Sequence, residues 1–328
     1  MNWTQLDWKC LDRLRGTFLA GSPTEEAYWQ SPSDLANYDL TFGERIGWKW
    51  DAVLDELELR GWRPPAGPVL DWGCGSGVAG RRVLRRFGAS SFGSIAFWDR
   101  SALATDFAHD ATQREFPGLD VSTATPGYLR SQEPIGLLLL SHVLNELPPS
   151  AMEEIRSLVV RSRSVVWTEP GTREVSRALG ALRDAWAPEV PVVAPCTHAH
   201  SCPVLAAGNE RHWCHFFGFP PPGVLADSDW VKFAQRAGID LRSLPYSFLA
   251  LDRSWKAPTH LSRVIGRPEH FKPYARLLNC DASGLAELSV MKRGNPALFK
   301  ELDKSKRPLV YAWTRQGEVI TGGSHVAP

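Results

Sequence analysis

The sequence predicts an α/β protein with a Rossmann-like core, and three stretches of the chain carry that prediction. Residues 66–87 read AGPVLDWGCGSGVAGRRVLRRF, which is an apolar strand, a glycine-rich turn and an amphipathic helix in succession. Two later apolar runs, GLLLLSHVLNELP at residues 136–148 and SRSVVWTEPGT at residues 162–172, both end in polar residues. Buried parallel strands have this pattern, with ligand-binding groups at their carboxyl ends.

The composition is that of a globular protein rather than of a membrane or disordered chain. Hydrophobic residues make up 43% of the 328 residues and charged residues 22%. No apolar run approaches the roughly 18 residues that span a bilayer. The first residues, MNWTQLDWKCLDRLRG, have neither a long apolar segment nor the acid-poor character of a transit peptide. We therefore expect a cytoplasmic, bacterial protein without a membrane partner.

Four parts are predicted along the chain. Residues 1–62 form an N-terminal helical segment with an aromatic-rich face that packs on the core. Residues 63–185 form the Rossmann-like core, and residues 186–222 form a Cys-rich insertion that binds a metal or cluster. Residues 223–328 supply the remaining core strands and a small, basic, β-containing C-terminal extension.

The glycine-rich turn indicates a nucleotide ligand. Gly73, Gly75 and Gly77 permit a tight turn and a close approach of the ligand to the backbone, and a helix begins directly after them. About twenty residues later the strand SIAFWDRS ends in Asp99, where a carboxylate can bind a ribose diol. The simpler alternative is a set of turn glycines in a Rossmann-like fold without a ligand.

The pattern VLDWGCGSG followed by a strand-ending acid resembles the S-adenosylmethionine (SAM) motif of class I methyltransferases. Position 78 is Val, where the dinucleotide motif has its third glycine. The resemblance implies that Asp71 and the three glycines line the methionine and sugar portion of SAM and that Asp99 holds the ribose hydroxyls.

Polar residues after two further strands are candidate walls of the same site. Because parallel strands bind ligands at their carboxyl ends, we expect Ser141, His142, Asn145 and Glu169 to line it. Asn145 and the neighbouring Glu146 equally fit a cap on the helix that begins near Pro148. Since no amine-methylating motif follows the strand, the catalytic residues are unknown.

The stretch APCTHAHSCPVLAAGNERHWCHFFGF, residues 194–219, holds three of the six cysteines and four of the nine histidines. Their irregular spacing fits neither a strand nor a helix. Cys196, Cys202 and Cys214 can converge with Cys280, which lies at the end of a later predicted strand. Four thiolates suit either zinc or a four-iron, four-sulfur (4Fe-4S) cluster, and a nearby histidine can replace one thiolate at zinc.

The chain resembles the mitochondrial small-ribosomal-subunit assembly family, to which Rsm22 and methyltransferase-like protein seventeen belong. The motifs LDWGCGSG, SHVLNELP, VWTEPGT, APCTHAHSCPVL, HWCHF and RLLNC occur in that family's order over residues 25–313. The resemblance implies a class I methyltransferase fold, a 4Fe-4S cluster on Cys196, Cys202, Cys214 and Cys280, and association with small-subunit ribosomal RNA during ribosome assembly and translation.

Charge is distributed unevenly along the chain. Residues 1–60 carry six Lys and Arg against eleven Asp and Glu, whereas residues 230–310 carry fifteen against seven. The basic third is either a solvated surface or a face for RNA phosphates and bases. The candidate contact residues are Arg263, Arg267, His270, Lys272, Arg276, Lys292, Arg293, Lys300, Lys304, Lys306 and Arg307, with Phe271, Tyr274 and Phe299 among them.

The first hypothesis is therefore a SAM-binding, iron-sulfur, methyltransferase-like protein that acts on or binds small-subunit ribosomal RNA. One alternative is a non-catalytic iron-sulfur or zinc protein with a structural or checkpoint role and a vestigial SAM pocket. Another is a methyltransferase of small molecules.

Overall fold

The protein is described by a computed structural model over residues 2–20, 29–256 and 260–326. Its contacts divide the chain into two units, each assembled from separate segments. The first unit comprises Met1–Asp51, Pro64–Thr168 and Phe219–Leu244. The second comprises Ala52–Arg63, Glu169–Gly218 and Pro245–Pro328.

Helices and strands alternate through the first half of the described chain, and strands dominate its last third. The helices are α1 Trp8–Ala20, α2 Pro32–Tyr38, α3 Glu44–Leu59, α4 Val78–Phe87, α5 Ala102–Glu115, α6 Pro126–Arg130, α7 Pro149–Arg161, α8 Arg173–Trp186, α9 Ser228–Ala237 and α10 Pro296–Lys304. The strands are β1 Val69–Trp72, β2 Ser94–Trp98, β3 Asp120–Thr123, β4 Ile135–Ser141, β5 Ser162–Pro170, β6 Val192–Ala194, β7 Phe216–Gly218, β8 Leu244–Asp252, β9 Ser262–His270, β10 Tyr274–Asp281, β11 Gly284–Met291, β12 Val310–Gln316 and β13 Val319–His325.

The first unit contains a parallel sheet in the order β3-β2-β1-β4-β5. The order reverses between β1 and β4, which is the topological switch point where such sheets bind ligands. Trp72 at the end of β1 is in register with Trp98 of β2 and with Leu140 of β4. The loops after these three strands therefore start at the same edge of the sheet. The predicted α/β Rossmann-like fold is confirmed.

The residues at the two ends and on one face of α4 explain why this segment is helical. Gly77 caps it in a left-handed conformation, and Arg85 and Arg86 in its last turn complement the helix dipole. Val83 and Leu84 are buried at 1% and 0% exposure, so the apolar stripe faces the sheet.

The N-terminal helices pack in the first unit through aromatic side chains. The rings of Trp48 on α3 and Trp230 on α9 are 4.7 Å apart, and Leu11 of α1 joins the same cluster. A π-helical turn, Asp39–Gly43, connects α2 to α3. Residues 21–28 of the predicted helical segment lie outside the described residues.

The second unit combines antiparallel strands with a closed barrel. Strand β8 pairs antiparallel with β6 and also pairs with β7. The barrel has the order β10-β11-β13-β12-β9, in which β11 and β13 run parallel and the other neighbours antiparallel. Its core includes Val264, Leu277, Val290 and Tyr311. Among the described residues, no helix has the length and apolar character needed to cross a membrane.

Candidate functional site

A glycine-rich turn connects β1 to α4 at the carboxyl edge of the parallel strands. Gly73, Gly75 and Gly77 have φ values of 69°, 52° and 75°, in the left-handed region that favours glycine. The N–H groups of Gly73 and Cys74 both donate to the Trp98 carbonyl oxygen, at 2.8 and 3.0 Å. These bonds fix the turn against the end of β2, next to the switch point.

The three glycines differ in their surroundings. A Cβ at Gly73 would lie 2.5 Å from Cγ1 of Val143, and one at Gly77 would lie 2.8 Å from Cβ of Ala108. Close packing therefore requires glycine at both positions. A Cβ at Gly75 would meet no atom of the described residues within 4 Å. Gly75 borders open space, so its backbone is the part of the turn that a ligand can approach.

Asp99 directly follows β2 and contacts this turn. Its Oδ2 accepts a hydrogen bond from Gly75 N–H at 3.0 Å, and its Oδ1 accepts one from Ser101 N–H at 3.0 Å. Burial raises the pKa of the Asp99 carboxyl, and the backbone N–H groups oppose that rise. An acid held beside Gly75 has the position of the residue that binds a ribose diol in related folds.

Asp71 is fully buried within β1. Its Oδ2 accepts a hydrogen bond from Gly80 N–H at 2.9 Å, which joins β1 to α4. Burial raises the pKa of the Asp71 carboxyl to about 7, although the Gly80 N–H and the Arg81 guanidinium both lower it. This geometry gives Asp71 a positioning role, while its predicted place against the ligand stays a prediction.

Ser141 and His142 lie at the end of β4, on the same edge as the glycine turn. Ser141 Oγ accepts a hydrogen bond from Trp50 Nε1–H at 2.9 Å. His142 has a φ of 57°, which is rare outside glycine, and its N–H donates to the Thr168 carbonyl oxygen at 2.9 Å. Burial lowers the pKa of His142 well below its usual range, so its imidazole is neutral at pH 7.

The other predicted wall residues are placed differently. Asn145 is exposed in a short 3₁₀ turn, Leu144–Glu146. The cap of α7 is Pro148, and no side chain caps this helix, so the alternative prediction of Asn145 as a cap is wrong. Glu169 is fully buried at the end of β5 and belongs to the second unit.

Sequence reasoning missed residues from the N-terminal segment that lie near this edge. Burial raises the pKa of Tyr38, and nearby carboxylates, including that of Asp99, raise it further. The charges of Lys49 and Arg45 help to lower the pKa of His142. The aromatic-rich sequence suggested only packing on the sheet, because no local pattern indicates which face of α3 meets the strand ends.

Three buried polar atoms at this edge have no hydrogen-bond partner among the described residues: Asp71 Oδ1, Ser76 Oγ and His142 Nε2. Buried polar atoms are normally paired, so unpaired ones clustered at a switch point indicate a ligand or bound water. Together with Asp99 and the Gly75 backbone, they offer hydrogen bonds to the polar amino-acid and ribose groups of SAM. The residues present therefore fit this cofactor.

The four predicted metal ligands are brought together in the second unit. Cys202, Cys214 and Cys280 pack in one small cluster with Val204. The charge of Cys196 acts on all three of the other thiols. Burial raises the pKa of each of the four, to about 11 for Cys202.

Two buried arginines lie beside these four thiols, which we call the thiol cluster. Arg183, 3% exposed, donates to the carbonyl oxygens of His198 and His200 at 2.6 and 2.5 Å. Arg60 donates to the Cys196 carbonyl oxygen at 3.1 Å. Both guanidinium groups oppose the rise that burial causes in the Cys196 pKa. Glu56 and Asp184 supply two carboxylates for the three buried guanidinium groups of Arg60, Arg263 and Arg183, so an anionic group held by thiolates would balance the remaining positive charge.

Histidines of the same loop lie beside the thiols. His198 Nε2 is 3.7 Å from Cys280 Sγ, and the ring of His215 stacks on that of Trp213 at 4.7 Å. Within residues 2–20, 29–256 and 260–326, no group of three or more His, Cys, Asp and Glu is arranged to hold a metal ion. Metal binding by the thiol cluster therefore stays a prediction.

One member of the predicted RNA-contact set is not available to RNA. Arg263 is 4% exposed, bonds Glu56 Oε2 at 2.8 Å, and lies over the Phe216 ring at 3.9 Å. The prediction is wrong for this residue because its guanidinium balances a buried carboxylate. The side chain of Lys304, another member, lies outside the described residues.

Comparison with known proteins gives one family match. The model of the family described as mitochondrial small ribosomal subunit Rsm22 matches residues 99–306. No curated protein matches the chain. The family's description is mitochondrial, so the expected bacterial cytoplasmic location stays a prediction.

Several solved structures are similar at low identity. Magnesium protoporphyrin IX methyltransferase from Synechocystis PCC 6803 with bound SAM has a TM-score of 0.38 and 14% identity, covering 77% of this chain and 100% of that one. TrmK of M. capricolum, in complex with S-adenosyl-homocysteine, has a TM-score of 0.35 and 6% identity, with 66% and 70% covered. The 16S rRNA methylase RmtB has a TM-score of 0.33 and 18% identity, with 54% and 66% covered.

Proposed function

The chain belongs to the mitochondrial small ribosomal subunit Rsm22 family, and on that premise we propose that it is a SAM-binding, methyltransferase-like protein that carries a 4Fe-4S cluster and associates with small-subunit ribosomal RNA. Each of the three parts has its own support and its own test. The two alternatives are a non-catalytic protein and a methyltransferase of small molecules.

The observation that carries SAM binding is the contact between Asp99 and the open glycine of the turn. Asp99 Oδ2 accepts a hydrogen bond from the Gly75 N–H at 3.0 Å, and a Cβ at Gly75 would meet no atom of the described residues within 4 Å. The unpaired Ser76 Oγ and His142 Nε2 add two polar atoms that can form hydrogen bonds to a ligand at the same edge. When bound, SAM supplies an electrophilic methyl group. The chain's part is to hold the ribose through Asp99 and the amino-acid portion through the turn.

Calorimetry with SAM tests this part directly. We expect heat of binding to the purified protein, and we expect Gly75→Asp to abolish it by filling the open space with a like charge beside Asp99. Gly317→Asp is the matched control, because Gly317 has a similar φ of 58° and a Cβ there would likewise meet no described atom within 4 Å. Absence of heat with the unaltered protein would refute SAM binding.

For the cluster, the support is the set of four thiols together with buried positive charge. Cys196, Cys202, Cys214 and Cys280 would hold it, and the part of the Arg183 and Arg60 charge that Asp184 and Glu56 do not balance would offset its negative charge. A 4Fe-4S cluster spans more than a single ion, so its thiolates stand farther apart than those around tetrahedral zinc, where Zn–S is about 2.3 Å. The remote position of Cys280 in the sequence and the proline that follows Cys202 favour the cluster over zinc.

Metal and sulfide analysis of protein purified without oxygen separates the possibilities. We expect iron and labile sulfide with broad visible absorption, all lost in Cys280→Ser. Cys10→Ser is the control, because Cys10 is also buried but lies on α1 in the first unit. Stoichiometric zinc in a colourless sample would contradict the cluster.

Association with small-subunit ribosomal RNA follows from the family and from the basic last third of the chain. A protein that neutralises phosphates releases counterions, so its affinity falls steeply with salt. We expect this for binding to purified small-subunit RNA. Affinity that is independent of salt would leave the basic third as a solvated surface only.

Methyl transfer separates the proposal from its two alternatives. Incorporation of a labelled methyl group into small-subunit RNA would establish an enzyme. SAM binding without incorporation would support the non-catalytic alternative. Turnover on small acceptors in the absence of RNA would support the other alternative.

A further inference from the structure

The barrel of the second unit has the topology of an OB-fold. Its order β9-β10-β11-β13-β12 closes back on β9, the pair β11 and β13 is parallel, and α10 lies between β11 and β12 in sequence. OB-folds are five-stranded Greek-key barrels that bind oligonucleotides on the face of their second and third strands. In this chain those strands are β10 and β11.

The outer face of β10 and β11 carries an exposed apolar patch at one end. Tyr274 is in register with Met291, and Phe271 lies in the turn just before β10. Phe271 and Met291 are 41% and 43% exposed. Ala275, next to Tyr274 in β10, and Val290, next to Met291 in β11, point the other way into the barrel and are fully buried. Exposed large apolar side chains that sit side by side indicate a binding surface.

The two aromatic rings of this patch are already stacked. Phe271 and Tyr274 have ring centroids 4.8 Å apart and an interplanar angle of 23°. The Phe271 N–H donates to the Tyr274 carbonyl oxygen at 2.9 Å, which makes the turn tight and fixes the pair. A preformed aromatic pair with an exposed face suits a base that continues the stack.

Positive side chains border the same patch. Lys272 lies within the turn, and Lys292 and Arg293 follow β11; all three are exposed. The Lys292 N–H donates to the Pro273 carbonyl oxygen at 2.9 Å, which brings the two loops together. Their charges complement phosphates that follow a strand of bases across the aromatic pair.

We infer that this patch, made of Phe271, Tyr274, Lys272, Lys292 and Arg293, binds single-stranded RNA. Bases stack on the two rings, and the lysines and Arg293 contact the phosphates. Duplex RNA is not the ligand, because its bases are already stacked within the helix and its recognition proceeds through shape and 2′-hydroxyl contacts. The inference rests on the proposed association with ribosomal RNA and names the surface and the form of RNA that it takes.

Fluorescence anisotropy of the full chain with a labelled 12-nucleotide single-stranded RNA tests the inference. We expect Phe271→Ala to weaken binding by about 5- to 100-fold, the range expected for one stacked base, and Phe271→Trp to restore it. Replacement of both Lys272 and Lys292 by Gln is expected to make the slope of log affinity against log salt shallower by about 1.4. Replacement of both Lys9 and Lys232 by Gln is the matched control, because both are exposed and lie on α1 and α9 of the first unit.

Each outcome decides a separate point. Tight binding of small-subunit RNA that Phe271→Ala and the double lysine variant leave unchanged would overturn this surface and leave the proposed function standing. No binding of any RNA would overturn the proposed association itself. Equal binding of duplex RNA would overturn the assignment to a single strand, because paired bases cannot continue the stack on the two rings. Because Phe271 is exposed, the variants are expected to keep the unaltered circular dichroism spectrum.

Discussion

Asp71→Asn is expected to stabilise the cofactor-free protein in a manner that depends on pH. The Asp71 carboxyl is fully buried, and burial raises its pKa from 3.8 to about 7. Below pH 3.8 both the folded and the unfolded chain hold the proton. Between pH 3.8 and about 7 only the folded chain holds it, so stability falls as the pH rises, and above pH 7 the full penalty applies.

The size of this penalty follows from the two pKa values. The two pKa values differ by about 3.2, and each unit is worth about 1.36 kcal/mol. Burial of the Asp71 carboxyl therefore lowers the free energy of unfolding by about 4 kcal/mol at pH 8 and by about 2 kcal/mol at pH 5. The asparagine side chain does not ionise and still offers an oxygen to the Gly80 N–H. The gain from the substitution should therefore grow by about 2–3 kcal/mol from pH 5 to pH 8. A constant cost of the new amide cancels in this comparison.

Urea unfolding at pH 5 and pH 8, followed by circular dichroism, measures the change. Asp34→Asn is the control with a different expectation. Burial alone would raise the Asp34 pKa, but the Gln30 N–H and the Arg13 guanidinium hold it below its usual range. Asp34 is thus ionised in both states at both pH values, and its loss should cost the same at each. A gain for Asp71→Asn that does not grow with pH would refute the reasoning.

Three further predictions concern single side chains. Glu56→Gln should lower the free energy of unfolding by about 3–5 kcal/mol in a urea titration, because the Arg60 and Arg263 guanidinium groups that bond this carboxylate stay buried. A loss below about 1 kcal/mol would contradict the stabilising role of these ion pairs. Burial and the Asp34 contact raise the pKa of Cys10 to about 12, so iodoacetamide at pH 8 should label Cys10 far more slowly in the native protein than in urea, as mass spectrometry will show. Trp50→Phe removes the hydrogen bond to Ser141 Oγ and should cost about 1 kcal/mol of stability; equal thermal midpoints for the two proteins would argue against the bond.

The sequence was sufficient for the parts of the fold that local signals determine. The turn at Gly73–Gly77 needs left-handed backbone, and only glycine supplies it readily, so the strand-turn-helix unit could be predicted. The buried run of β4 and the turn after Cys280 were likewise local signals. Even the convergence of the four thiols could be anticipated, because irregularly spaced cysteines in a loop are typical of thiolate ligation rather than of core packing.

Contacts between distant parts of the chain could not be predicted in the same way. A basic residue in a basic third was expected on the surface, but Arg263 is buried against Glu56, and nothing near either residue marks that pairing. Tyr38 and Arg45 lie near the strand ends because of how α2 and α3 pack, which depends on tertiary contacts. The closed barrel requires β11 and β13 to pair in parallel across α10, and no short motif specifies that pair.

Helix α3 contributes residues to both units, and this has a consequence for synthesis of the chain on the ribosome. This helix starts in the first unit and ends in the second, where Glu56 bonds a guanidinium group 207 residues later. At about 5–20 residues per second, roughly 10 to 40 seconds separate the emergence of these two residues. During that interval the carboxylate has one of its two arginines, and the second unit has neither its barrel nor its fourth thiol. The first unit therefore has all its residues once Leu244 has emerged, whereas the second is completed only when the barrel strands β9 to β13 have followed.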